Sequence, residues 1–466
     1  MHPNELTELS AHELAGLIRS RQVSPVEVAD AYLNRIARFN PSLNAIVSLA
    51  PDLRNQALEA EAALLRGEVI GPLHGVPITI KDTIETAGLR TTSGSRLRAD
   101  YLPATDATVV QRLKAAGAVI LGKTNTPEMA IPYETDNLIF GRTNNPYDLR
   151  RTSGGSSGGE ASAIAACLSP AGLGSDLSGS IRVPAHFCGI AGLRPTSGRI
   201  PMDGHMPGTP GTLSFGACIG PLARHVKDLS LLFNVLAQQN AETVPARFDL
   251  AGLRVGWYDY DGVTPVSAET GIAVRSGMNA LASAGMVTAE ERPPGVEYAS
   301  RLWISLFAKT SAVELRRFYR GREVEAGPAA RRILETSSET LFASPDSEVL
   351  RERNNLREQL LEWMETTPFI VAPVGATAAF EHGAQRVDVG GGSISVFRAF
   401  SYSQALNVFD LPSVVVRAGQ TASGLPIGVQ VIGRPYAEEA ILAAAAIIEE
   451  GLGGWQPPLV LEAASS

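Results

Sequence analysis

The chain has 466 residues, 44% of them hydrophobic and 19% charged, with a formal net charge of −8. That is ordinary globular composition with room for a large core, and its acidity argues against a general phosphate-gripping surface, while still allowing a local basic patch. No run approaches the ~20 apolar residues of a membrane span, and the opening MHPNELTELSAHELAGL carries acids without an apolar stretch, so a signal peptide is not expected and the cytoplasm is the default location. Cys167, Cys188 and Cys218 are odd in number and lack metal-ligand spacing; they read as small buried residues in a reduced compartment.

Taken in chain order, residues 1–66 read as helices. Ser10 with Glu13 and Ser24 with Glu27 form capping-box patterns, Pro25 stands at a first helical position, and Val28, Tyr32 and Ile36 follow helical spacing. From residue 70 the texture changes. GVPITIKD, residues 75–82, is a short β-branched run ending in charge. ATVVQRLKAAG predicts a helix stopped at Gly117, followed by a buried strand from Val119 to Gly122. NNPYDLRRTSGG reads as polar loop, EASAIAACLS as a helix of small residues, and AGLGSDLSGSIRVPA as a strand entering a tight turn. LRVGWYD, FIVAPVGA, PSVVVRA and IGVQVIG are further strand candidates, alternating with helices such as VKDLSLLFNVLAQQ and YAEEAILAAAAIIEEGL. This alternation predicts an α/β fold with a mixed central sheet covered by helices. Residues 301–366 are charged, amphipathic and helical; an outer layer is favoured over an inserted lid. No linker divides the chain, so a single domain over residues 1–466 is expected.

The stretch RRTSGGSSGGEAS poses the chemical question. Gly154 to Gly158 fit G-x-S-x-G, which would make Ser156 a nucleophile needing a histidine. His186, His205, His225 and His382 follow it, and none stands out as its base.

Three pieces in order, GVPITIKDT, RRTSGGSSGGEAS and GLGSDLSGSIRVPAHFCGIAGLRPT, with NNPYD and GKTNTPEMA between them, resemble the amidase signature family over about residues 70–230. The resemblance implies amide hydrolysis by a Ser-cisSer-Lys triad on the family's α/β fold. It assigns Lys81 at the end of PITIK, Ser156 as the bridging serine preceded by a cis peptide, and Ser180, 24 residues further on, as the nucleophile. It implies an oxyanion hole of the backbone N–H groups of Leu177, Ser178, Gly179 and Ser180. Ser157 is expected to orient the site by hydrogen bonding, and Asp176 and Arg182 to hold the turn. Lys123 is a second strand-end lysine and a rival base, which the family pattern places outside the triad.

The residues are chemically suited to these roles. A serine hydroxyl needs a base, and a lysine serves only when its usual pKa of about 10.4 is lowered by burial. No metal or cofactor is implied. The sequence departs from the family at Ser178, where glycine is usual, and at Glu160, where a small residue is common and where the acid is expected to cap the following helix. Met202–Arg224, with Phe397, Phe400 and Tyr402, are candidates for the substrate pocket, pointing to an apolar or aromatic amide.

Three functions compete. A free-standing amidase for a small carboxylic amide is preferred. The glutaminase subunit of a tRNA-dependent amidotransferase shares all three blocks, but usually carries an aspartate where this chain reads TLSFGAC before IGPL. An inactive scaffold on the amidase fold is the third. The expected partner is a small-molecule amide, with no direct nucleic-acid contact and no membrane span; a homodimer is left open.

Overall fold

The computed structural model describes residues 3–238, 248–336 and 347–458. Eleven strands form one sheet: β1 (Ile46–Leu49), β2 (Pro77–Lys81), β3 (Val119–Thr124), β4 (Ala171–Asp176), β5 (Ala191–Arg194), β6 (Cys218–Ala223), β7 (Arg254–Trp257), β8 (Val287–Glu290), β9 (Phe369–Pro373), β10 (Ser413–Gln420) and β11 (Pro426–Gly433). Their spatial order is β1-β3-β2-β4-β6-β5-β10-β11-β9-β7-β8. Two parallel groups, β3-β2-β4 and β9-β7-β8, flank an antiparallel centre. The mixed sheet matches the expected fold class.

Helices cover both faces, and the alternation of side chains along β10 shows it. Val414 and Val416 belong to the cluster containing Val274, Leu281 and Ile441, from the helices Ala268–Ser283 and Glu438–Leu452. Val415, between them, packs with Ile181, Phe187 and Phe400 on the other side. The inner strands are buried on both faces, which is why β2, β3, β4 and β11 read as near-continuous apolar runs.

The N-terminal capping boxes form as read. Glu13 N donates to Ser10 Oγ at 3.2 Å and Ser10 N to Glu13 Oε2 at 2.9 Å; Ser24 and Glu27 repeat the exchange at 3.0 and 2.8 Å. The helices Ala11–Arg19 and Pro25–Leu43 follow. Asp228 accepts the Ala11 and His12 N–H groups at the start of the first, at 3.2 and 2.9 Å, and ties it to the helix Val226–Leu236. That last helix ends at Leu236, short of its expected extent: Ala237 and Gln238 form a turn, and Gln239 lies outside the described residues.

Two expectations are corrected. NNPYDLRRT is not simple loop: Asn144–Asn145 and Asp148–Thr152 pair as a small antiparallel ribbon. Its support is tertiary, since Thr152 N donates to Phe380 O at 3.0 Å and Arg151 bridges Glu381. The charged segment is not wholly outer layer. It runs through the helix Ala299–Trp303, a π-helical turn Ile304–Ala308, and the helices Lys309–Tyr319, Pro328–Thr336 and Ser347–Thr366. Trp303, Ala308, Ser311, Leu315 and Ile333 line a cavity beside the serine-bearing loops, and Leu302, Leu306 and Phe307 of the same segment pack into the core against Ile370 and Leu406. Residues 337–346 of this segment lie outside the described residues.

Candidate active site

Lys81 ends β2 in the middle of the parallel group β3-β2-β4, so its side chain emerges where three strands finish together. It is fully buried. Its Nζ lies 2.7 Å from Ser156 Oγ and 3.0 Å from Ser175 Oγ, the latter on β4. Burial lowers the Lys81 ammonium to about 7, against the opposing pull of the Asp176 and Glu160 carboxylates. A lysine so placed spends much of its time neutral at physiological pH and has a lone pair to offer.

Lys123, one strand away on β3, is also fully buried, but its Nζ bonds to Ile84 O and to the Thr86 and Thr91 hydroxyls at 3.2 and 3.1 Å. It contacts neither serine. Burial lowers it to about 8, countered by Asp82, whose own carboxyl burial raises to about 6.

Ser156 follows the ribbon and precedes the helix Gly158–Ala165, and the Gly155–Ser156 peptide is cis. A Cβ on Gly155 would lie 2.8 Å from the Tyr133 carbonyl carbon, so only glycine fits beside that backbone. Ser157 N donates to Ser180 O at 3.1 Å, and the Ser157 hydroxyl sits 3.4 Å from both Ser175 O and Ser175 N. It thus links the serine-glycine loop to β4 and to the following turn.

That turn is held by one buried ion pair. Asp176 Oδ2 accepts from Arg182 Nε at 3.0 Å and from Ile181 N at 3.1 Å; its Oδ1 accepts from Arg182 Nη2 and Gly179 N, both at 2.9 Å. Asn407 Nδ2 adds a bond at 3.0 Å. Burial alone would raise Asp176, but the Arg182 guanidinium, with the Arg194 charge and the Asn407 bond, holds the carboxyl well below the usual carboxylate range. Gly179 adopts φ +102°, which favours glycine, and Ser180 opens on the cavity with 9% exposure. The implied oxyanion donors divide here. Gly179 N–H donates to Asp176 Oδ1. Leu177, Ser178 and Ser180 line the cavity. Two peptide planes of the turn are held from outside it: Trp303 Nε1 donates to Leu177 O and Tyr133 Oη to Ser178 O, both at 2.8 Å, which fixes the planes that carry the Ser178 and Gly179 N–H groups. The unexpected Ser178 hydroxyl bonds to Tyr133 Oη.

Glu160 does not cap its helix, contrary to expectation. Although it sits in the first turn, its carboxyl is fully buried and accepts from Thr79 Oγ1 and, at 2.5 Å, from Thr124 Oγ1, one hydroxyl from each lysine-bearing strand. Burial raises it to about 7, opposed by those hydroxyl bonds and by Lys81 and Lys123. The strands offer it two donors that a helix cap in this buried position would leave unpaired.

The cavity in front of Ser180 has a volume of about 510 Å³. Beyond the serines its wall is mainly apolar: Leu177, Leu213, Trp303, Ile333, Phe380 and Phe397 contribute, with Glu134, Glu314 and Arg332 among the charged residues. Of the three aromatic candidates only Phe397 lines it. Phe400 lies in the core 4.4 Å from the Tyr133 ring, and Tyr402 stacks on Tyr258 and donates to Thr264 O at 2.5 Å. Met202, His205 and Leu213 of the predicted 202–224 stretch also line the cavity.

No histidine bonds to Ser156 or Ser180 among the described residues, which removes support from the elbow reading. His186 bonds Thr377 O and Gly428 N, His382 bonds Glu134, and His225 stands at the start of its helix. His205 bonds Ser175, the second partner of Lys81. Sequence reasoning missed Ser175 and Tyr133, and weighed His205 only as a base and as part of the pocket stretch; Ser175 stood inside a quoted motif, while Tyr133 carried no local signal. Among the described residues no group of acidic, histidine and cysteine side chains is placed to hold a metal ion, and no helix is long and apolar enough to cross a membrane.

Comparison with known proteins agrees with this architecture. The chain is 33% identical to a glutamyl-tRNA(Gln) amidotransferase subunit of Carboxydothermus hydrogenoformans, over 96% of its own length and 98% of that protein. It is 32% identical to fatty-acid amide hydrolase 2-A of Danio rerio, over 98% and 91%. The solved structure of 6-aminohexanoate cyclic dimer hydrolase with its substrate superposes with a TM-score of 0.83 at 27% identity, covering 98% of this chain and 100% of that one. The Amidase family model matches residues 27–442. The chain belongs to the amidase signature family, and is an amide-cleaving enzyme of that family.

Proposed function

We propose that the protein hydrolyses a carboxylic amide through an acyl-enzyme on Ser180, with Ser156 carrying protons between Ser180 and Lys81. The observation that carries this is the 2.7 Å contact of a buried, pKa-lowered Lys81 with Ser156, beside a cavity that Ser180 shares. Ser180 Oγ attacks the amide carbon and gives its proton to Ser156, which passes its own to the Lys81 lone pair. The oxyanion that forms faces the N–H groups of Leu177, Ser178 and Ser180, each such donor being worth about 3 kcal/mol of barrier. The proton returns along the same path to the departing amine. Water, deprotonated by the same relay, then cleaves the ester and restores Ser180. The chain's own groups account for every proton in this cycle.

The apolar wall of Trp303, Phe380, Phe397 and Leu177 supports an amide with an apolar or aromatic group as substrate. A structural neighbour acts on a cyclic amide, so a substrate panel needs linear and cyclic amides.

A second reading has a specific observation behind it. Glutamyl-tRNA(Gln) amidotransferase subunits recur among the curated relatives at 30–34% identity, and this favours a glutaminase role more than the missing aspartate before Ile219 counts against it. Under that reading the substrate is glutamine and the chain works in a complex with other proteins. The discriminating experiment measures ammonia or amine release by the isolated chain from glutamine, a linear aryl amide, a fatty amide and a cyclic amide. Turnover of the apolar amides with glutamine inert supports the first reading; glutamine turnover alone supports the second. No release from any of them, with no labelling of Ser180 by a fluorophosphonate, overturns both in favour of an inactive scaffold.

A further inference from the structure

The contacts around Lys81 continue past Ser175. His205 Nε2 lies 2.9 Å from Ser175 Oγ, and His205 Nδ1 lies 2.9 Å from Pro207 O. A carbonyl oxygen only accepts, so Nδ1 carries the proton. Burial and the nearby Lys81 charge lower the ring to about 4, so it is neutral at neutral pH and Nε2 is an acceptor. The one Ser175 proton therefore points to His205. Toward Lys81, 3.0 Å away, Ser175 Oγ has only lone pairs left and must accept a lysine N–H. The lysine lone pair is then free to face Ser156 at 2.7 Å.

We infer that His205 is a positioning residue for amide hydrolysis: through Ser175 it fixes the direction of the hydrogen-bond chain so that neutral Lys81 presents its lone pair, not an N–H, to Ser156. This rests on the reading of Lys81 as the base for Ser180. The backbone gives His205 a fixed seat for the task. Ile84 and His205 form an antiparallel bridge, Glu85 N donates to Gly204 O at 2.9 Å, and Met206 N to Thr83 O at 2.8 Å. The segment bearing His205 is thus stitched to the turn that follows Lys81, so the two ends of the hydrogen-bond chain keep their spacing. Without His205, the Ser175 hydroxyl is free to turn and donate to the lysine lone pair, in competition with Ser156.

The test uses the full chain and a fluorophosphonate probe, measuring the maximal inactivation rate separately from the probe's half-saturating concentration, with thermal melting as a check on folding. His205→Leu is expected to lower the maximal rate roughly 10- to 100-fold with half-saturation within about twofold, while His205→Gln, which offers a carbonyl oxygen near the Nε2 position, returns to within about threefold of wild type. Ser175→Ala is expected to match His205→Leu, and the double variant to be no slower than the slower single, since both break one chain. A wild-type rate in either single variant, or losses that multiply in the double variant, overturns the inference. Ser175→Ala decides the matter even if His205→Leu does not fold. An unlabelled wild-type protein, or a Ser180→Ala variant that still labels, instead overturns the nucleophile assignment and this inference with it.

Discussion

Gly179 N–H and the Arg182 guanidinium are held by the same carboxylate: Asp176 Oδ1 accepts from both at 2.9 Å. One buried acid therefore fixes both the bend of the turn that carries Ser180 and the start of the helix Arg182–Phe187 that follows it. Arg182→Met should cost about 3–5 kcal/mol of stability, because it leaves the Asp176 charge buried without its main partner. Denaturant unfolding measures this, and a loss below about 1 kcal/mol would show that the pair is dispensable.

Ser180→Ala should abolish both turnover and fluorophosphonate labelling with an unchanged melting temperature. Ser156→Ala should keep the fold and lose about 10²–10⁴ in kcat, the usual contribution of a positioned proton-transfer group. Full activity in Ser180→Ala would dismiss the covalent mechanism.

The Lys81 value gives the pH dependence its sign. Only the neutral amine accepts a proton, so kcat/KM should climb as pH rises through about 7 and level off above it. Lys81→Met should be nearly inactive and lack that ascending limb. Stability follows the same shift: the folded state holds Lys81 at a lower pKa than the unfolded chain, so the unfolded state binds more protons between the two values. This group's contribution should make the protein more resistant to denaturant as pH rises from about 7 towards the ordinary lysine range.

Glu160→Gln offers a separate check on the electrostatics. The Glu160 carboxylate raises Lys81 against the effect of burial, so its removal should move the ascending limb of the pH profile to lower pH. A shift to higher pH, read from the same kinetic titration, would contradict the assignment of that limb to Lys81.

Trp303→Ala should raise KM for an aryl amide several-fold while kcat for a small aliphatic amide stays near wild type. Trp303 contributes its ring to the cavity, although its Nε1 also steadies Leu177 O. A Trp303→Phe variant separates the two roles, keeping ring surface and losing the bond.

The blocks that meet at the candidate site were legible because each is distinctive in a short run: a lysine closing a β-branched strand, and serines among glycines that close packing requires. The caps at Ser10 and Ser24 were legible for the same local reason. What escaped was set by contacts distant in sequence. His205 acquires its hydrogen-bond partner Ser175 from 30 residues earlier, on another element. Glu160 looked like a helix-capping acid, and only the approach of Thr79 and Thr124 turns its carboxyl toward the strands. Asp148–Thr152 is too polar to announce a strand and owes its form to Phe380 and Glu381. Trp303 and Ile333 sit on amphipathic helices whose buried stripe fits an outer layer equally well until the cavity is seen.

The cavity wall has a consequence of its own. Lys81, Ser156, Ser175 and Ser180 come from one stretch of about a hundred residues, whereas Trp303, Leu315 and Ile333 come from another that supplies none of them. Under the proposed mechanism, the proton-transfer residues and this part of the cavity wall are encoded in separate passages of the gene. Replacing residues 299–336 with the corresponding passage from a relative should, under that mechanism, change which amides are accepted while Lys81, Ser156, Ser175 and Ser180 stay in place.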